Sequence, residues 1–421
     1  MKKAIKTLIE GYSPLKQKDF RIYIGGQTIS MLGTWMQATA QAWVIWTLTN
    51  SELQLGIVAM LGFIPFLLIG PFAGVWADRI NRRQLLIWTQ ITSMILAIMF
   101  AILVQANLIQ VWHIYILAAL LGIVSTLDLP AQQAFIGDLS GMENVRKAVV
   151  INSSIVQISR MIGPALAGWT IGIFGVAPAF WINGISFIAV IASLVAIKSS
   201  QVIHPHKGKP LTDFVDGLKF VRNNPIIMDL MILTSILTFF GFSIMQIMPA
   251  IATDVLHGKA EVLGFLMGAS GAGALIGSTI IVPMSHKIKR VGFLCAIAVL
   301  WDGFWMVIFA LSRNQYISMV CLFFSALFIP ILFATTNGMI QVTAPSHMRA
   351  RVLSALFIVA FGVQPFASLF IGYVAHLIGS ADAVLLNGVL MVLGAIILLL
   401  LRTELRTWEA KVPAEKRAVQ Q

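Results

Sequence analysis

The sequence predicts an all-α membrane protein in which twelve transmembrane helices form two six-helix bundles, with both termini in the cytoplasm. Composition is the first observation behind this prediction, because 58% of the 421 residues are hydrophobic and only 11% are charged. A soluble domain carries about 25% charged residues, so lipid must cover much of this surface. A series of long apolar segments is the second observation, and the placement of the basic residues between them is the third.

Twelve segments are long and apolar enough to cross a bilayer, which requires about 20 residues of helix for roughly 30 Å of hydrocarbon. Uncharged stretches of this length recur along the chain, and turns with Gly, Asn or Pro divide the longest of them. The predicted helices lie near residues 22–47, 54–77, 84–105, 111–136, 148–174, 178–197, 226–253, 262–284, 291–311, 316–342, 351–378 and 383–401.

The basic residues predict the orientation of these helices, since Lys and Arg concentrate in cytoplasmic loops. With a cytoplasmic N-terminus, 26 of the 29 basic residues fall in cytoplasmic segments, Lys259 and Arg313 fall on the other side, and Arg160 falls within a span. This distribution predicts a multi-pass protein of the inner (plasma) membrane. The net charge of +12 is then a property of the loops, so we expect the lipid bilayer and no nucleic acid as a partner.

The chain divides at its midpoint into two similar halves. The predicted units are residues 1–197 as the N-terminal six-helix bundle, 198–225 as a cytoplasmic central loop, 226–401 as the C-terminal six-helix bundle and 402–421 as a cytoplasmic tail. Pro164 and Asn183 in the first bundle are echoed by Pro365 and Asn387 in the second. Internal repeats of this kind are typical of secondary transporters, whose substrate site lies at the bilayer midplane between the repeats.

The turn after the second predicted helix carries a recognisable motif. It reads Gly74-Val-Trp-Ala-Asp78-Arg79-Ile-Asn81-Arg82-Arg83, which resembles the G-xxx-D-R-x-G-R-R signature of the major facilitator superfamily. Asn81 replaces the usual Gly, and Asn also tolerates the left-handed conformation of such a turn. The resemblance implies the major facilitator fold.

Within the superfamily, the chain resembles the bacterial enterobactin-exporter-like or transmembrane secretion effector group. The residues that carry this resemblance are Trp35-Met36-Gln37, Gln41-Ala42-Trp43, Asp128-Leu129-Pro130-Ala131-Gln132-Gln133, Asn152-Ser153 with Arg160, and Arg349-Ala350-Arg351. The resemblance implies export of a small-molecule substrate, such as a siderophore, a drug or a related hydrophobic metabolite. It also implies antiport with protons by alternating access, with the proton gradient as the energy source and no cofactor.

The resemblance further implies a gate at the cytoplasmic surface. Asp78 caps a helix end of the other half, and an arginine of the motif pairs with an acid at the end of the fourth helix, for which Asp138 is the candidate. The predicted gating residues are Gly74, Asp78, Arg79, Arg82, Arg83 and Asp138. The alternative is that these charges only anchor the topology.

Three charged residues inside predicted spans are candidates for proton coupling or substrate binding, because a charge at mid-bilayer costs about 2.5–3.5 kcal/mol on insertion scales. Asp128 and Arg160 lie on neighbouring antiparallel helices at depths that differ by about 6 Å, so we expect them to interact. They form either a static ion pair or a coupled proton and substrate site. Asp302 has no evident basic partner in the sequence, so it either titrates, faces the lipid–protein margin or bonds a neighbouring backbone group.

Uncharged polar residues inside the spans predict a wet central cavity. The candidates that line it are Gln37, Gln41, Gln132, Gln133, Asn152, Asn183, Asn337 and Gln341. The alternative for each residue is an interhelical hydrogen bond, which is worth about 0.6 kcal/mol on average in membranes. Helix kinks are predicted at Pro130, Gly163, Pro164 and Pro365, because proline removes a helical hydrogen bond.

Two alternative functions stay open at this stage. An importer or a lysophospholipid-type transporter could use the same fold, since the charge distribution does not set the direction of transport. A membrane enzyme or sensor is more remote, because the seven histidines are scattered and the longest loop between spans is short. We therefore expect no enzyme activity and no metal site. Cargo, coupling ion and oligomeric state cannot be read from the sequence.

Overall fold

The computed structural model describes residues 13–141, 143–197, 210–285, 290–345 and 348–408, apart from the side chains of residues 71, 74–79, 210–214 and 350. All regular secondary structure in these residues is helical. The predicted all-α fold is therefore confirmed for the described part of the chain. Most of the first predicted unit and of the C-terminal bundle is included, whereas residues 1–12, 198–209 and 409–421 lie outside it.

The first half of the bundle contains six long helices. They are α1 (Lys18–Thr49), α2 (Glu52–Arg79), α3 (Arg82–Gln105), α4 (Val111–Ser140), α5 (Val145–Phe174) and α6 (Ala177–Ala196). The turns between them are short, and Gly175 takes a φ of 81° where α5 ends. A glycine suits this position because a left-handed backbone is costly for residues with a Cβ atom.

The second half follows a short connecting helix. The elements are α7 (Pro210–Arg222), α8 (Pro225–Val255), α9 (Ala260–Ser285), α10 (Val291–Leu311), α11 (Gln315–Thr343), α12 (Arg351–Ile378), α13 (Ser380–Leu401) and the single turn α14 (Thr403–Thr407). We call α1–α6 the first half and α8–α13 the second half.

Eleven of the described helices are long and apolar enough to cross a membrane. The twelfth predicted span is α1, whose 32 residues extend for roughly 48 Å but include many polar side chains. Those side chains point into the bundle, since Gln27, Ser30, Gln37 and Thr39 are all at most 5% exposed. The low hydropathy of α1 therefore reflects an inner position among the other helices.

Successive helices run antiparallel, which gives the bundle two faces. At one face, the Arg83 guanidinium donates hydrogen bonds of 2.6 and 2.8 Å to the carbonyls of Leu194 and Val195 at the end of α6. Arg402, just after α13, pairs with Asp229 near the start of α8 at 3.3 Å. We call this the basic face, and it holds the beginning of α1 and the end of α13. We call the other the opposite face.

Small residues bring the two halves together along α5 and α9. A Cβ atom added to Gly264 would lie 2.5 Å from the Pro164 carbonyl oxygen, and one added to Gly168 would lie 2.5 Å from the Ala260 carbonyl oxygen. Glycine at these positions lets the two helix backbones touch. A similar approach joins α2 to α12.

Two hydrogen bonds join the halves at the opposite face. The Trp46 indole N–H donates a hydrogen bond of 2.9 Å to Thr253 Oγ1. The Ser380 hydroxyl donates one of 3.1 Å to Glu52 Oε1. The structure is therefore closed between the halves at this face.

The central segment predicted as a loop over residues 198–225 contains a helix instead. Asp216 of α7 forms an ion pair of 3.0 Å with Arg351 of the second half, and α7 also contacts α2 of the first half. Gly217 lies against the Arg351 carbonyl of α12 and Val221 is buried, whereas Lys219 and Arg222 are exposed. The predicted connection between the two bundles therefore includes a helix over residues 210–222.

The predicted kink positions fall into two groups. Pro130 lies inside the continuous helix α4, and Gly163 with Pro164 lies inside α5. Pro365 follows a break at Val363, which divides α12 into two segments. Of these positions, only Pro365 coincides with an interruption of the helix.

Candidate translocation site

Arg160 lies where the two halves meet. It is near the middle of α5, and its guanidinium carbon is 5.9 Å from the ring centre of Trp35 on α1 and 5.7 Å from that of Phe242 on α8. Both distances are within the range of a cation–π interaction. One cation from the first half therefore contacts aromatic rings from both halves.

A buried acid of the second half interacts with Arg160. The Asp302 carboxylate on α10 lies within electrostatic range of the Arg160 guanidinium. Asp302 is 0% exposed, and its Oδ1 accepts a hydrogen bond from the Ser325 hydroxyl on α11. Its Oδ2 has no hydrogen-bond partner within the described residues. The sequence offered no basic partner for Asp302, and the fold supplies one from the other half.

α8 is irregular beside this carboxylate. A π-helical turn, Leu237–Gly241, is followed by a 3₁₀ segment, Phe242–Ile247. A Cβ atom on Gly241 would lie 3.0 Å from Asp302 Oδ2, so the glycine leaves room for the buried acid. π-helical turns occur frequently at functional sites. Here the irregular segment places the Phe242 ring against Arg160.

Two buried amides hold the irregular part of α8 in place. Asn387 on α13 donates hydrogen bonds of 3.0 Å to the Phe240 carbonyl and 3.2 Å to the Ser243 hydroxyl. Gln364 on α12 donates one of 3.4 Å to the Thr238 carbonyl. Neither amide was a predicted site residue, although Asn387 was visible as the counterpart of Asn183.

Asp128 belongs to a separate polar cluster in the first half. Its Oδ1 accepts hydrogen bonds of 2.5 Å from the Thr89 hydroxyl and 3.0 Å from the Gln90 amide, both on α3. The phenol of Tyr23 on α1 lies within electrostatic range of the carboxylate. Asp128 is half-buried, whereas Gln90 is only 6% exposed.

The predicted interaction between Asp128 and Arg160 is therefore not found. Asp128 faces α3 and α1, whereas Arg160 faces α1 and α8. The prediction compared only their depths, and depth does not say in which direction a side chain leaves the helix axis. The structure instead places Arg160 with Asp302.

The predicted gate is described in part. Arg82 Nη1 lies 2.9 Å from both carboxylate oxygens of Asp138, so the basic residue pairs with the acid near the end of α4 as the motif implies. Arg83 binds the end of α6, as described above. The side chains of Gly74, Asp78 and Arg79 lie outside the described residues.

The predicted cavity-lining residues separate by environment. Asn183 Nδ2 donates a hydrogen bond of 2.7 Å to Gln37 Oε1, and both residues are at most 5% exposed, so this pair joins α6 to α1. Gln341 donates one of 2.6 Å to Asn337 within α11. Gln132 is buried, Gln41 is half-buried and Gln133 is exposed.

Several polar atoms at the centre of the bundle are buried without a partner among the described residues. Asn152 Oδ1 and Ser159 Oγ lie on α5 with Arg160, and Thr336 Oγ1 lies on α11. Buried polar groups in native proteins are nearly always hydrogen-bonded to protein or to ordered water. Ordered water is therefore the expected partner of these atoms.

The fold matches solved transporters of the major facilitator type. A bacterial homologue of the human lysosomal transporter Spinster, in an inward-facing occupied conformation, has a TM-score of 0.72 at 14% identity and covers 92% of this chain and 97% of that one. A D-xylose–proton symporter has a TM-score of 0.68 at 16% identity and covers 89% and 97%. The likeness shows that this chain has the major facilitator fold, in which two halves meet, here around the half-buried Arg160.

The chain belongs to the transmembrane secretion effector family, whose model matches residues 9–420. It is 27% identical over 370 residues to the staphyloferrin A transporter of Staphylococcus aureus, with 85% of this chain and 90% of that protein covered. It is 23% identical over 400 residues to macrolide efflux protein A of Streptococcus pyogenes, with 92% and 97% covered. The protein is a multi-pass transporter of the inner membrane, not an enzyme.

Proposed function

We propose that this protein exports a small molecule by alternating access, in exchange for protons carried on Asp128. The contacts of Arg160 with the second half support alternating access. This cation of the first half lies near mid-membrane, where it contacts the Phe242 ring and interacts electrostatically with Asp302. Rocking of the halves changes these contacts directly. The names of similar proteins, a staphyloferrin A transporter and macrolide and multidrug efflux proteins, favour export over the importer and lipid-transporter alternatives.

The proton motive force is large enough for this exchange. One charge that crosses a potential of 100 mV releases about 2.3 kcal/mol, which corresponds to about a 50-fold concentration gradient. Export of one cargo molecule for one proton therefore needs no nucleotide hydrolysis.

Asp128 is suited to carry a proton because its hydrogen bonds are satisfied in both protonation states. The Thr89 hydroxyl lies 2.5 Å from Asp128 Oδ1 and 2.9 Å from the Leu86 carbonyl oxygen. When Asp128 is ionised, Thr89 donates to the carboxylate. When Asp128 is protonated, it donates to Thr89 Oγ1, and Thr89 donates to the carbonyl instead. A hydroxyl can serve both roles because it has one donor and two acceptor positions.

Asp302 is less suited to this role. It has no exposed surface from which a proton could exchange. We assign it to balancing the charge of Arg160. Asp128, by contrast, is half-buried and can exchange a proton when the halves move.

The cargo is to be identified by comparing the small molecules excreted with and without the gene, under iron limitation and under macrolide exposure. Everted membrane vesicles then report proton release when that cargo is added. We expect Asp128→Asn to abolish cargo-dependent proton release, and Asp128→Glu to retain part of it. Asp382→Asn, the same change at an exposed position of α13, serves as the control. Normal proton release by Asp128→Asn would remove Asp128 as the carrier.

A further inference from the structure

We infer that the cargo carries an oxyanion, a carboxylate or a group of the same geometry, which binds the Arg160 guanidinium between Trp35 and Phe242. This inference rests on the proposed export function and names the chemistry that its central site recognises. Three properties of Arg160 support it, namely its free donors, the position of its counter-charge and the rings on either side.

The first property is that the guanidinium donors of Arg160 have no acceptor among the described residues. Other described arginines donate to oxygen atoms, as Arg82 does to Asp138, Arg83 to Leu194 and Arg351 to Asp216. Arginine presents a planar fork of N–H donors and stays charged in proteins. A charge in the middle of a membrane is expected to be paired. The free donors therefore mark a position that an acceptor occupies during transport.

The second property is that Asp302 balances the charge of Arg160 without using these donors. Its Oδ1 accepts from Ser325, and its Oδ2 lies against Gly241. The guanidinium fork is thus left open although an acid lies nearby. An oxyanion can form the bidentate contact that arginine prefers and that a lysine could not reproduce.

The third property is the pair of rings around the guanidinium. Trp35 and Phe242 are both half-buried, as is Arg160, so all three side chains keep accessible surface deep inside the bundle. A planar anionic group on Arg160 would contact one ring from each half. Binding would therefore be felt by both halves, as alternating access requires.

An anionic cargo has an energetic consequence. Because the cell interior is negative, a membrane potential of 100 mV supports an outward concentration gradient of about 50-fold for each net negative charge on the cargo. Export of the anion can then continue without a proton on Asp128, whereas export of a neutral or cationic cargo cannot. The two proposals can be tested separately for this reason.

Binding is to be measured by calorimetry on the full-length protein in phosphatidylcholine nanodiscs. The probes are 2-naphthoate, salicylate and citrate, each compared with its neutral amide. We expect at least one acid to bind about tenfold more tightly than its amide, the preference that a charge-assisted hydrogen bond provides. Equal affinity within every pair, or no binding of any of the acids, would overturn the inference. If added phosphatidylglycerol displaces the acids, the site binds lipid phosphate and the assignment to cargo is wrong.

Variants test the residue itself. Arg160→Gln is expected to reduce acid affinity by about tenfold and to leave amide affinity unchanged, while Arg160→Lys is intermediate. Arg313→Gln, the same change at the opposite face, is the control and should bind like the wild type. An equal loss for acid and amide in Arg160→Gln would show a structural role only. If the acids bind but Asp128→Asn releases protons normally, the anion site stands and Asp128 is not the proton carrier. If the acids do not bind but Asp128→Asn abolishes proton release, only the role of Asp128 stands.

Discussion

Among single residues, Thr89 has a specific chemical task in this account. Its hydroxyl is within hydrogen-bond distance of both the Asp128 carboxylate and the Leu86 carbonyl, so it can reorient when the acid takes up a proton. Without the Thr89 hydroxyl, the protonated Asp128 would face an apolar side chain and lose a hydrogen-bond partner. A buried polar group that loses its partner costs about 1–3 kcal/mol.

We therefore predict that Thr89→Val slows cargo-dependent proton release by about tenfold. Valine has the shape of threonine but can neither donate a hydrogen bond to Asp128 nor accept one from it. Thr89→Ser should retain most of the rate. The measurement is proton release in everted vesicles at equal protein abundance. Thr92→Val is the matched control, since Thr92 is exposed on the same helix and bonds only its own backbone. Equal rates in Thr89→Val and Thr92→Val would contradict the role given to Thr89.

The pair formed by Arg82 and Asp138 gives a second prediction at this scale. The two side chains are 20% and 32% exposed, and an exposed ion pair contributes about 0–1 kcal/mol to stability. Arg82→Gln should therefore lower export strongly while the amount of protein in the membrane stays close to normal. Export by Arg82→Asp with Asp138→Arg should exceed that of either single variant. Loss of folded protein in Arg82→Gln would instead assign the pair to stability.

The sequence was sufficient to find the charged residues inside the spans but not their partners. Asp128, Arg160 and Asp302 stand out because ionisable residues are rare in apolar helices. Their neighbours depend on how each helix is rotated about its axis, which tertiary packing decides. Phe242 is an apolar residue in an apolar helix, so no signal in the sequence distinguishes it. Thr89-Gln90 was a detectable signal, a polar pair in an apolar helix, and it was missed.

At the level of helices, the contact between α5 and α9 is limited by backbone atoms. Gly264 lies against the Pro164 carbonyl and against Gly168, where no side chain has room. Because this contact is near the opposite face, its geometry sets how closely the halves approach there. A methyl group at Gly264 must push the two helices apart.

We predict that Gly264→Ala shifts the protein toward the conformation open at the opposite face. The distance between spin labels at Leu108 and Leu311, exposed residues of the two halves near that face, should lengthen. Gly338→Ala is the matched control, because a Cβ atom at Gly338 meets no atom within 4 Å. Identical distance distributions for the two variants would show that this contact does not hold the face closed.

Helix positions were predicted well because long uncharged stretches and the turns that divide them mark the helices. The predicted span at 291–311 coincides with α10, and the other spans differ from the observed helices by a few residues at their ends. The irregular middle of α8 was not predictable, since its π-helical and 3₁₀ turns depend on the amides of Asn387 and Gln364, which come from distant helices.

For the molecule as a whole, we propose that the two halves rock about the Arg160 region. The contacts between halves at the opposite face include the Trp46–Thr253 and Ser380–Glu52 hydrogen bonds, and they must break when that face opens. Arg160 lies between this face and the basic face, so rocking of the halves changes its contacts with Phe242 and Asp302. With the predicted cytoplasmic termini, the basic face is the side from which cargo enters.

The most direct test is a pair of distance measurements by double electron–electron resonance in nanodiscs. One label pair, Leu108 with Leu311, reports the opposite face, and the other, Val150 with Val342, reports the basic face; all four side chains are exposed. Comparison of the wild type with Gly264→Ala should show the first distance lengthening as the second shortens. If both distances change in the same direction, or the second stays fixed while the first lengthens, the halves do not rock about Arg160.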